Sequence, residues 1–145
     1  MKRLDKSWQI GVTALLAVLF VTFAAFQLND TNPEIYHRPS VIDAWSWVAF
    51  YGFIAALFVL SIFRPVPVAL LVLGALFCFY EMVTTAPGLY RNLFEAEKFT
   101  MTGASMAPSR SEVELTREFF GAVIGLVGLG FLWWQAKKAV RRSAA

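Results

Sequence analysis

A single cysteine and a single histidine among 145 residues exclude most metallochemistry before any fold is considered. Cys78 stands alone inside an apolar run, so neither an intrachain disulfide nor a cysteine metal cluster can form. It reads as a small buried thiol. With His37 unaccompanied, zinc, haem or di-iron sites built from several histidines of one chain are also excluded. Charge is scarce too: 16% of the residues are charged, against about a quarter in a soluble domain. The net +3 is concentrated at the termini, with no aromatic-interleaved basic face, so nucleic acid is not an expected partner. No nucleophile–base pair, cofactor motif or internal repeat is recognisable.

What the chain has instead is apolar mass: 58% hydrophobic residues, with 14 Phe and 5 Trp. A helix needs about 20 mainly apolar residues to cross a hydrocarbon core about 30 Å thick. Four segments meet this: residues 8–28, 44–63, 66–86 and a last one over 112–138, whose apolar part is 119–136. Ser111-Glu112-Val113-Glu114 has capping-box spacing, which moves the start of the fourth helix ahead of its apolar part. Arg64-Pro65-Val66-Pro67 joins the second and third spans so tightly that they read as antiparallel neighbours. Thr85-Ala86-Pro87-Gly88 predicts the end of the third span. Leu89, Tyr90, Leu93 and Phe94 then predict a short amphipathic interfacial helix within 89–99, followed by a flexible link over 100–110. The fold class is all-α: one domain over 1–145, with four transmembrane helices in an antiparallel bundle.

Basic residues orient the bundle. Lys2, Arg3, Lys6, Arg64, Lys137, Lys138, Arg141 and Arg142 fall on one side, eight of the thirteen, all close to the membrane. Arg38, Arg91, Lys98, Arg110 and Arg117 fall on longer loops opposite, with every acid except Asp5. Both termini are therefore expected to be cytoplasmic, in a bacterial inner (plasma) membrane. The first span, longer than the usual 7–15-residue apolar core of a signal peptide, reads as an uncleaved helix.

Polar residues near the outer ends of the spans are the candidate site. Gln27, Asn29 and Asp30 end the first span, and Glu114, Arg117 and Glu118 open the fourth. Glu81 lies about 7–8 Å inside the end of the third span at 1.5 Å per residue, a costly place for a carboxylate. A solvated helix start, favoured by the N-terminal dipole, accounts for the acids of the fourth helix without any function. The functional reading brings Asn29 and Asp30 against Arg117 and Glu118 in a polar clasp. Gly121, Gly125 and Gly128 share one face of the fourth helix and predict close packing. Trp8, Trp133 and Trp134 at one interface, and Trp45, Trp47 and Tyr51 at the other, read as aromatic belts. Trp47 and Tyr51, at i and i+4, also suit an aromatic pair facing a neighbouring helix.

With these pieces in place the chain resembles the transmembrane protein 220 family of small four-helix membrane proteins. The resemblance rests on Gln27-Leu28-Asn29-Asp30, on Trp47-Val48-Ala49-Phe50-Tyr51, and on Glu114-Leu115-Thr116-Arg117-Glu118-Phe119-Phe120-Gly121. It departs after Asp30, where Thr31 and Asn32 replace the family's Pro-Asp and extra residues precede Trp47. The resemblance implies Asp43 in place of the second aspartate, and it implies a fold and a site location but no activity.

Three functional readings follow. The first is a non-enzymatic accessory or scaffold protein with an extracytoplasmic polar clasp, its partners the lipid bilayer and other membrane subunits or further copies of itself, with no cofactor. The second is an extracytoplasmic binding protein for a hard cation or small ligand, with Asp30, Glu34, Asp43, Glu114 and Glu118 as oxygen donors. The third is a membrane enzyme using Glu81 or Glu118 as a general acid or base on a lipid or quinone.

Overall fold

The computed structural model describes residues 7–37 and 39–143, with side chains through Lys138. Lys2, Arg3, Asp5, Lys6, Arg38 and the side chains of Arg141 and Arg142 lie outside the described residues. Among the described residues there are four α-helices: α1 (Ser7–Phe26), α2 (Val41–Phe63), α3 (Val68–Phe94) and α4 (Ser111–Ser143). Single 3-10 turns, Gln27–Asn29 and Gly103–Ser105, interrupt the long connections. All four helices contain windows long and apolar enough to span a membrane. Lipid cannot satisfy a backbone N–H or carbonyl, so an apolar chain of this kind is stable only with those bonds closed inside each helix. Hydroxyls follow the same rule: Thr22, Ser46 and Ser61 donate to carbonyls within their own helices at 2.7–3.0 Å.

The helices pack as two hairpins. Close backbone packing pairs α1 with α2 and α3 with α4, while α2 meets α4 along a shorter seam. Along α1 and α4, Thr13 meets Gln135 and Phe20 meets Gly128, so numbers rise in one helix as they fall in the other. Contrary to the reading of the Arg64–Pro67 link, α2 and α3 make little close backbone contact. Arg64 and Pro67 are extended, and four extended residues reach about 13 Å, so a short link does not force contact. Aromatic rings fill the gap: Phe50 stacks on Phe77 at 4.4 Å between centroids, and Trp47 meets Phe77 edge-on at 5.7 Å.

The core centres on α2, where Trp47, Phe50, Tyr51, Ile54, Leu57 and Phe58 are buried at helical spacing. Its partner surface is the glycine face of α4. Gly121 receives Tyr51, Gly125 receives the Phe50 ring and Gly128 receives the Phe20 ring, the last two within 2.9 Å of where a Cβ would stand. These glycines therefore admit ring edges from α1 and α2. The close helix–helix approach comes from α3, where Gly74 meets the Leu129 side chain and Gly88 meets Leu115.

Two boundaries differ from expectation. The third helix does not stop near Ala86; it continues through Pro87 to Phe94, so the residues expected to form a separate interfacial helix are its last turns. Proline inside a membrane helix is tolerated where nearby hydroxyls and neighbouring helices compensate. Here the carbonyl that Pro87 leaves without its helical donor is that of Val83, and the neighbouring helix α4 packs onto the next residue, Gly88. Nor does Ser111 form a capping box: it is the first helical residue, and Glu114 is engaged across the molecule by His37. The link after α3 is pinned rather than free. Asn92, fully buried, donates to the Thr100 carbonyl and the Thr116 hydroxyl at 2.8 and 2.9 Å, while Thr100, Thr102 and Ser105 share a hydroxyl cluster.

Candidate ligand-binding cavity

At the Asp30 end of the bundle, α1, the α1–α2 connection, α2 and α4 leave a cavity of about 320 Å³. Gln27 and Asp30 border it from the end of α1, Glu114, Arg117 and Glu118 from the first turns of α4, and Trp47 and Tyr51 from α2. Five of the seven polar candidates thus share one space. Asn29 and Glu81 do not line it: Asn29 is exposed, and Glu81 is buried on α3.

Local structure explains how these groups converge. The 3-10 turn after α1 carries Asp30 around the end of the helix, and its N–H bonds the Gln27 carbonyl at 3.1 Å. Ser40 caps α2, accepting from the Asp43 N–H at 3.3 Å, and Trp47 and Tyr51, at i and i+4, share the buried face of that helix. On α4, residues 114, 117, 118 and 121 recur at three- and four-residue spacing, so the charged first turns and Gly121 share a face. Gly121 has no side chain to fill the space, and the Tyr51 hydroxyl lies against it.

The expected clasp is not made directly. Among the described residues the one ion pair joins Arg110 to Glu112 at 3.3 Å, and none joins Asp30 to Arg117. The α1–α2 connection does the tying instead. The Tyr36 hydroxyl donates to the Asp30 carboxylate, and the His37 N–H donates to Glu114 Oε2 at 2.8 Å. His37 Nδ1 lies 2.6 Å from the Pro108 carbonyl, which has no proton to give, so Nδ1 is the donor. Loop-to-helix bonds thus hold the rim, while the charged groups inside it are not bonded to one another.

Electrostatics reflect partial burial. Desolvation raises the Asp30 carboxyl above its ordinary range, against the opposing effects of the Tyr36 bond and Arg117, with Asp43 and Glu114 adding to the rise. Burial raises the Tyr36 phenol as well, and its bond to Asp30 adds to that effect. Three carboxylates face one guanidinium. Among the described residues no group of three or more His, Cys, Asp or Glu side chains is disposed to hold a metal ion. A hard-cation site built from Asp30, Glu34, Asp43, Glu114 and Glu118 therefore finds no ligand set.

The family model described as "Transmembrane family 220, helix" matches residues 19–134, most of the chain and every wall of the cavity. The chain belongs to this family. No curated protein and no solved structure matches it. The matched region of this transmembrane family 220 member runs from the middle of α1 to Trp134 on α4.

Several structural residues were not singled out in the sequence. Tyr36 and His37 act from a connection where no periodicity marks them. Gln9 and Thr13, at i and i+4 inside an apolar run, were a readable signal. They form a second buried polar cluster toward the opposite end, where Gln135 Nε2 donates to Thr13 Oγ1 at 3.2 Å and ties α4 to α1. The pairing needed tertiary structure, because its members lie at opposite ends of the chain.

Proposed function

We propose that the protein is a non-enzymatic membrane protein that binds the polar head of a small amphipathic molecule in the cavity at the Asp30 end. The observation that carries this reading is the composition and position of that cavity. Its volume falls at the lower end of the range for small-molecule sites, and its lining combines aromatic walls with a few polar groups. Phe23, Phe26 and Ile124 line it on the side where α1 and α4 make little close backbone contact. Phe26 and Ile124 are 64% and 42% exposed on the surface that faces lipid. A ligand entering between α1 and α4 would keep its tail among these apolar side chains and its head among Gln27, Asp30, Arg117 and Glu118.

The distribution of basic residues supports placing this end on the extracytoplasmic side. An accessory role in a larger membrane assembly is compatible with this reading, with the bound molecule as the regulated or delivered element. The test is mass spectrometry of molecules retained by protein purified in mild detergent, with an Ile124→Trp variant that obstructs the mouth. The expected result is an amphiphile held by the wild type and lost from the variant, with the variant still folded and melting cooperatively. Equal retention by both proteins, or none by the wild type, overturns the proposal.

A further inference from the structure

The same cavity indicates the chemistry of the head it takes, an inference that rests on the binding reading above. Its lining carries three carboxylates, from Asp30, Glu114 and Glu118, and a single guanidinium, from Arg117. Asp30 and Glu114 are each engaged by one donor from the α1–α2 connection, which leaves carboxylate lone pairs free. Among the described residues neither the Glu118 carboxylate nor the Tyr51 hydroxyl has a hydrogen-bond partner. Tyr51 is 4% exposed, and its hydroxyl lies against Gly121, itself a lining residue. Trp47, 2% exposed, lines the same wall with its six-membered ring toward Gly121, and its indole N–H is buried behind that edge without a partner. Glu118 is half-buried, while the Tyr51 hydroxyl is a deeply set polar group that borders the cavity without a protein partner, and such a group points to a ligand.

Charge and shape narrow its class. The excess of carboxyl oxygens, which accept, over the one guanidinium, which donates, favours a donor-rich head such as an ammonium. A bare divalent ion does not fit, because the acids form no ligand set and the space is far larger than one ion. The space suits an organic cation beside an aromatic wall, in which the Trp47 and Tyr51 rings pack on each other at 5.4 Å between centroids and both meet Phe50. An ammonium group can donate to Glu118, to the free lone pairs of Asp30 or Glu114, and to the Tyr51 oxygen. Arg117, an exposed lining residue whose guanidinium lies beside Gly103, is available for an anionic group next to the ammonium. We infer that the cavity binds the ammonium head of an aliphatic amphiphile, with Glu118 as its principal counter-ion and the Trp47–Tyr51 wall beside it.

The test follows the Trp47 indole N–H by NMR in uncharged dodecyl maltoside micelles, with the resonance identified by Trp47→Phe. Dodecylamine, which is protonated at neutral pH, is titrated against dodecanol and dodecyl phosphate, which share its chain, and against butylamine, which lacks it. Dodecylamine is expected to saturate the Trp47 shift about tenfold more tightly than dodecanol. Glu118→Gln should remove that advantage, bringing dodecylamine to the affinity of dodecanol. Gly121→Ala, which presses on the Tyr51 hydroxyl, serves as a second variant and should weaken both. Equal affinity for all three heads overturns the ammonium assignment and keeps the binding reading. Saturation by butylamine as tight as by dodecylamine keeps the ammonium and overturns the amphiphilic source. Absence of a saturable shift with any probe overturns both.

Discussion

Asp30 sits where opposing influences meet. Partial burial raises its carboxyl, the Tyr36 hydroxyl and Arg117 pull it down, and the net effect is a rise. A carboxyl whose folded value lies above its unfolded value contributes stability that is complete below the ordinary carboxylate range. That contribution is lost as pH climbs through the folded value. The native protein should therefore gain on an Asp30→Asn variant as pH falls from about 7 to about 3.5. The difference in their melting temperatures at a series of pH values measures this, and a difference that moves the other way removes the assignment. At this scale the sequence marked the charged groups but not their partners. Asp30, Glu114, Arg117 and Glu118 were visible because charges are rare at the ends of apolar runs. Tyr36 and His37 were not, since a side chain in a connection has no periodic position to reveal its target.

Individual helices show where local rules yield to packing. Pro87-Gly88 reads as a stop in any single-sequence view, because proline removes a donor and glycine loosens the chain. Within the bundle Gly88 is instead the point at which α3 comes close enough for Leu115 to cover it. The capping-box pattern at Ser111 failed for a comparable reason, since His37 offered Glu114 a donor on another element. Gly88 and Gly130 make the contrast testable. A Cβ at Gly88 would overlap the Leu115 Cβ, whereas Gly130 has nothing within 4 Å. Gly88→Ala should destabilise by about 1–3 kcal/mol through overpacking. Gly130→Ala should be neutral or stabilise by up to about 1 kcal/mol through helix propensity. Thermal unfolding of both variants in one detergent decides it, and comparable losses would contradict the packing described.

The whole molecule is two helical hairpins joined by a four-residue extended link and sealed by aromatic rings and the glycine face of α4. The four spans were legible because apolar runs of this length have few other uses. Which helices lie closest was not, because link length bounds the distance between two helices without setting it. A chain divided within Arg64–Pro67 should reassemble, since each half retains its closest packing and the seam needs no continuous backbone. Co-expression of residues 1–65 and 66–145, with an affinity tag on one fragment, should copurify the other. Failure to copurify, with both fragments present in the membrane, would mean that the link itself holds the bundle together.

Cys78, the only sulfhydryl in the chain, is fully buried on α3 in the same core as Trp47 and Tyr51 of α2. A thiol so placed can meet a maleimide only when the surrounding helices part. Its modification rate in the unaltered protein therefore acts as an intrinsic clock for breathing of the bundle, and occupancy of the neighbouring cavity can be followed as a slowing of that clock.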